Sequence, residues 1–124
     1  MLNDSKPEYW KEIAKHDIES AEILLKEKGY PDIIIYHFHQ AIEKLLKGLL
    51  LENKGSIPFI HDLTRLYGLL INLNNVYMGL EEEVFNLNSF NKDLRYPISG
   101  LLNEDDLIDA KESFYKILGR LKRL

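Results

Sequence analysis

The stretch YHFHQAIEKLLKG, residues 36–48, gathers side chains that could do chemistry: His37, His39, Gln40, Glu43, Lys44 and Lys47. Two histidines two apart first suggest a pair of metal ligands. Successive residues of a helix turn by about 100°, so His37 and His39 would point to well separated sides of the cylinder. They cannot grip one ion from within a helix. Helical-bundle metal sites of the carboxylate type use Glu-x-x-His pairs on facing helices. Here the residues three before the four histidines are Ile13, Ile34, Tyr36 and Pro58. His39 with Glu43, and Glu12 with His16, are spaced as ordinary surface or rim pairs. The expectation is no metal site and no cofactor.

Other catalytic patterns are missing as well. There is no G-x-S-x-G elbow, and NKGSI lacks the upstream glycine of a phosphate-binding loop. Gly55-Ser56 is not followed by the Asp-x-Asp that would hold magnesium, and Gly55 reads as the end of a helix. The second unusual piece is NKDLRYPISG, where Arg95 and Tyr96 stand at the junction of a helical pattern and Pro97. Arg95 has two open roles: serving the last helix carbonyls, or holding a phosphate through its planar fork.

The elements that must position these residues are helical throughout. Ser5, Pro7 and Glu8 spell a capping box, and Trp10, Ile13, Ala14, Ile18, Ala21, Leu24 and Leu25 then recur at helical spacing up to Gly29. Gly29 and Pro31 separate this helix from the next, which carries Ile34, Phe38, Ala41, Ile42, Leu45 and Leu49 on one face. On its other side Tyr36, Gln40, Glu43, Lys44 and Lys47 form a polar arc, whose plain reading is a solvated face. Ile35, Leu46 and Leu50 widen the apolar arc beyond what one packing partner needs, which points to a second buried side and an oligomer.

A third helix is predicted from near Asp62. A fourth, from about residue 79 to 95, is broken by its Asn-rich middle and stopped by Pro97. Asn103 caps a last helix that runs from Glu104, Asp105 and Asp106 to Arg120, Lys122 and Arg123, a charge order that suits the helix dipole. The predicted fold class is therefore all-α: an up-and-down four-helix bundle with an additional short or broken helix, in one domain over residues 1–124.

The whole chain sets the outer bounds. Its 124 residues suffice for one domain with a real core. It has no cysteine, which removes disulfides, thiolate metal sites and thiol nucleophiles, and fits a reducing, cytoplasmic setting. The start, MLNDSKPEYW, lacks the apolar core of a signal peptide, and no apolar run approaches the roughly 18 residues of a membrane span. A net charge of −4 argues against a broad phosphate-tracking surface, though not against a small basic cleft.

The residues HFHQAIEKLLKGLL, then HDL after a loop, then LRYP before a last helix, together resemble the HEPN domain (higher eukaryotes and prokaryotes nucleotide-binding). Asp17 between Ala14 and Ala21 also resembles the family's opening A-x-x-D-x-x-x-A pattern, and the similarity runs from about Tyr9 to the end of the chain. The resemblance is to small stand-alone prokaryotic members and implies an α-helical bundle that forms homodimers. It also implies a separate minimal nucleotidyltransferase as partner, in pairs that include toxin–antitoxin systems. Many members are metal-independent ribonucleases whose motif is an Arg followed a few residues later by a His.

This chain departs from that motif. After Arg95 the corresponding positions are Gly100, Leu101 and Leu102, and no histidine follows His61. His supplies the near-neutral acid or base of such a cleavage most readily. The resemblance without that His implies a non-catalytic module that binds a nucleotide or docks a partner, with Glu43, Lys47, Arg95 and Tyr96 as the expected lining. The alternative is a ribonuclease with a displaced active site, whose base would be His61, His37 or Tyr96.

Overall fold

The computed structural model describes residues 4–91, 94 and 101–123. The described chain is an all-α bundle. It comprises α1 (Pro7–Lys26), α2 (Pro31–Glu52), α3 (Leu63–Leu73), a 3-10 turn (Asn75–Tyr77), α4 (Glu81–Asn88) and α5 (Glu104–Arg123). Four longer helices and one short one match the expected architecture. No described helix is long and apolar enough to cross a membrane.

α2 is the axis of the bundle. It packs on α1, α3 and α5, while α4 closes the far side against α3 and α5. Its apolar residues are consumed by these neighbours: Ile34, Ile35, Phe38, Ile42, Leu46 and Leu50 are all buried within the single chain. The wide apolar arc therefore reflects three intramolecular partners, and it is no longer a reason to expect an oligomer. Phe38 stacks on Phe114 of α5 at a ring-centroid distance of 4.2 Å and an interplanar angle of 17°, a geometry that aromatic pairs favour.

The helix ends follow local chemistry, with one correction. α1 begins at Pro7 with Lys6 in the N-cap position and no side-chain cap hydrogen bond, so the capping box expected at Ser5 does not form. Proline is favoured at the first helical position because its missing N–H would have no partner there anyway. Here that preference sets the start one residue later than a Ser5 cap requires. α1 and α2 end alike. In each a lysine takes the left-handed conformation (Lys28 at φ 55°, Lys54 at φ 64°) and the following glycine N–H reaches back to a helix carbonyl. Gly29 bonds to Leu24 O and Gly55 to Leu50 O, both at 2.7 Å, which closes the orphan carbonyls in the Schellman manner.

The later elements are tied by polar side chains. The Asp62 carboxylate caps α3 by accepting from Arg65 N–H at 3.2 Å. Asn88, from the Asn-rich segment that was expected to fray a helix, accepts from Leu63 N–H at 2.9 Å and donates to Asp62 at 3.1 Å. Asn86 donates to Asp109 and Ser113 on α5. Asn103 and Asp106 form a reciprocal capping box at the head of α5, with bonds of 2.8 and 3.0 Å. Between α3 and α4 the chain is pinned from two sides: Tyr67 Oη donates to Tyr77 O, and Arg120 donates to the carbonyls of Val76 and Met78.

Candidate functional site

The polar arc of α2 is not a solvated face. Glu43 and Lys47 are among the most buried charged residues described, at 4% and 6% exposure, and Tyr36 alone of the arc is well exposed. α1 covers one edge of the arc, and the loop between α2 and α3 covers the other. Charges placed there must find partners, because an isolated buried charge is far too costly.

Two charge clusters result, each a lysine of α2, a carboxylate and a histidine. In the first, Lys47 Nζ donates to Glu43 Oε2 at 3.0 Å, one helical turn back. His61, in the loop just before α3, places Nδ1 at 3.1 and 3.2 Å from the two Glu43 oxygens. In the second, Asp17 of α1 accepts from Lys44 and lies 2.8 Å from His37 Nδ1. Asp17 lies on the same buried stripe as Ala14, Ile18 and Ala21, so this cluster fastens α1 to α2.

A carboxylate only accepts hydrogen bonds, so in each cluster Nδ1 carries a proton and donates it, and Nε2 is the ring nitrogen left for other partners. The histidines differ in access. The His61 side chain is 53% exposed and its carboxylate partner 5% exposed, whereas His37 is largely covered. His61 is thus an imidazole anchored at one nitrogen and open at the other.

Lys47 links this cluster to a groove. Its ammonium lies 5.6 Å from the centroid of the Trp10 ring, within cation–π range. Trp10 Nε1 donates to Asp4 O at 2.7 Å, which folds the segment before α1 back over the indole. Trp10, Lys47, Asp4 and the Gly55–Phe59 loop enclose a groove of about 540 Å³. A second groove of about 690 Å³ runs between α1 and α5 over Leu45 and Leu49, and its rim alternates Glu and Lys.

Of the four expected lining residues, Glu43 and Lys47 are brought together, as a buried ion pair. Arg95 and Tyr96 lie outside the described residues. Among the described residues no three His, Asp or Glu side chains are grouped to hold a metal ion. Three partners were not foreseen: Trp10, Asp17 in its pairing role, and His61 as the partner of Glu43. Asp17 carried a usable signal, since a carboxylate on an otherwise apolar stripe must be answered from the facing helix.

An all-α bundle with a buried Glu-Lys-x-x-Lys helix at its centre defines a class of small helical domains. The family model of the HEPN domain matches residues 7–124, and the chain belongs to that family. No curated protein and no solved structure matches the chain.

Proposed function

We propose that this HEPN-domain chain is a non-catalytic binding module of the cytoplasm. It works as a homodimer that takes a nucleotide or docks a separate minimal nucleotidyltransferase, in a toxin–antitoxin-like pair. One observation carries the non-catalytic part: Glu43 and Lys47, the charged residues at the heart of the family resemblance, are buried and neutralise each other. A catalytic acid or base must exchange its proton with a substrate within hydrogen-bond reach. Glu43 instead orients His61 and Lys47, which is the work of a scaffold. Arg95 supplies the phosphate contact in this reading, and Tyr96 a ring.

The test combines three measurements on the purified full chain. Light scattering is expected to give twice the chain mass. Calorimetry is expected to show binding of ATP or another nucleotide, or of a minimal nucleotidyltransferase where the adjacent reading frame encodes one. A monomer that binds none of these defeats the proposal.

A second reading, a metal-independent ribonuclease with a displaced active site, is favoured by one specific geometry. His61 is exposed, and its Nδ1 is held by a buried carboxylate that fixes ring orientation and tautomer. That arrangement leaves Nε2 available for proton transfer. Cleavage of RNA in the presence of a chelator, lost on changing His61, would replace the first reading with this one.

A further inference from the structure

We propose that the groove between the segment before α1 and the α2–α3 loop takes a nucleobase, held flat against the rings of Trp10 and Phe59. The proposal rests on the nucleotide-binding reading above and names where the base is held, at residues outside the Glu43–Lys47 pair and Arg95.

Phe59 stands fully in solvent, at 105% exposure, on the rim of this groove. An aromatic ring left wholly in water offers a large apolar face that a flat ligand can cover. Trp10 contributes a second aromatic surface to the same groove and is fixed before any ligand arrives. Its Nε1 is bonded to Asp4 O, its ring meets the edge of Tyr9 at 5.3 Å, and Lys47 lies over it. A preordered wall reduces the ordering cost of binding.

The polar groups around these rings decide between ligands. Asp4, which brings a carboxylate, and Ser56, which brings a hydroxyl, are residues of the same groove. An aromatic peptide side chain has a flat face but at most one or two polar atoms on it, not an edge of several donors and acceptors. A nucleobase has both, and its amino or imino N–H groups suit a carboxylate acceptor. The volume of about 540 Å³ falls within the range of small-molecule sites.

Charge shows which part of a nucleotide is gripped. Lys47 is already neutralised by Glu43, and Asp4 is anionic, so the groove does not draw in phosphate. Recognition by the base predicts that a nucleoside carrying no phosphate still binds in this groove.

Trp10 is the chain's single tryptophan, so its emission reports on this groove. The full chain is titrated with guanosine, adenosine, AMP and ribose 5-phosphate, following Trp10 emission and, in parallel, calorimetric heat. The expected result is saturable quenching by at least one nucleoside, with no response to ribose 5-phosphate. Phe59→Ala should weaken that binding about tenfold, the size of one lost base–aromatic stack. Its melting should stay unchanged, because the ring touches little of the folded chain. Nucleotide heats with unchanged Trp10 emission, or quenching untouched by Phe59→Ala, overturn the groove while leaving nucleotide binding in place. Absence of heat and quenching with every ligand overturns the groove and the nucleotide-binding reading together.

Discussion

His61 Nδ1 lies 3.1 and 3.2 Å from the two carboxylate oxygens of Glu43, although the residues are 18 positions apart. The contact pins the loop that follows α2 back onto the middle of α2, and it gives Glu43 a second partner beside Lys47. Lys47 has no second carboxylate among the described ion pairs. The pair is therefore asymmetric, and its two halves should respond differently to removal.

Glu43→Leu strands a buried ammonium with only the Trp10 ring beside it, and should cost about 3–5 kcal/mol, the usual penalty for breaking a buried pair from one side. Lys47→Met leaves the carboxylate still bonded to His61 and should cost about 1 kcal/mol less or better. Urea denaturation of both variants checks this. Equal costs, or the reverse order, would show that His61 contributes nothing to holding the carboxylate.

The same contact makes RNA cleavage a clean discriminator. The binding-module reading expects wild-type protein to leave RNA intact in the presence of a chelator. If cleavage is seen, His61→Gln should reduce it at least ~100-fold, the low end for removing an acid–base group. His16→Gln should change nothing, since His16 is an exposed residue of α1 whose one carboxylate contact is to Glu12 on the same helix. Cleavage that survives His61→Gln would remove the geometry that favours the ribonuclease reading among the described residues.

How much of this was legible beforehand depends on sequence separation. Helix bounds are local, and Gly29, Pro31, Asp62 and Asn103 marked them; the slip at Ser5 came from two local rules competing over one residue. Periodicity separated His37 from His39 correctly: His37 meets Asp17 on α1, while His39 is buried on another side of α2. Periodicity says which residues share a face but not what covers that face. The burial of Glu43, Lys44 and Lys47 depends on α1 and on the 55–62 loop, through contacts such as His61 to Glu43, Lys44 to Asp17 and Lys47 to Trp10, all far apart in the sequence. No window of the sequence holds both ends of such a contact, so the arc looked solvated.

Adjacent residues at the end of α2 should respond in opposite directions. Lys54 holds a left-handed φ of 64°, where a Cβ is unfavourable, so Lys54→Gly should stabilise the protein by about 1 kcal/mol or less once glycine's extra chain entropy is subtracted. Gly55→Ala should destabilise it, because an added Cβ would lie 2.6 Å from Leu73 Cδ1 and 3.1 Å from Leu50 O. Thermal melts of the two single variants test this. A destabilised Lys54→Gly would mean that its side chain contributes more than its backbone strain costs.

Alkaline pH should loosen the α3–α4 connection through Tyr67. Its hydroxyl donates to Tyr77 O at 2.6 Å and accepts from Leu80 N–H at 3.0 Å. Burial, above all, raises its pKa above the ordinary 10.0; the Leu80 N–H opposes this, and the charge of Glu81 adds to it. A phenol whose folded pKa exceeds its unfolded value stabilises the fold fully below the unfolded value, and that contribution is lost as pH rises through the folded one. Tyr67→Phe removes both hydrogen bonds and should cost about 1–3 kcal/mol at neutral pH. It also removes the alkaline loss from this residue. Tyr115, raised by burial and then by Glu22, remains in both proteins, as do the lysines, so their share of the decline cancels in the difference. Stability measured from about pH 8 to about pH 11 should therefore show wild type and Tyr67→Phe converging as pH rises. Curves that stay parallel across that range would mean that Tyr67 ionises no less readily in the folded chain than in the unfolded one.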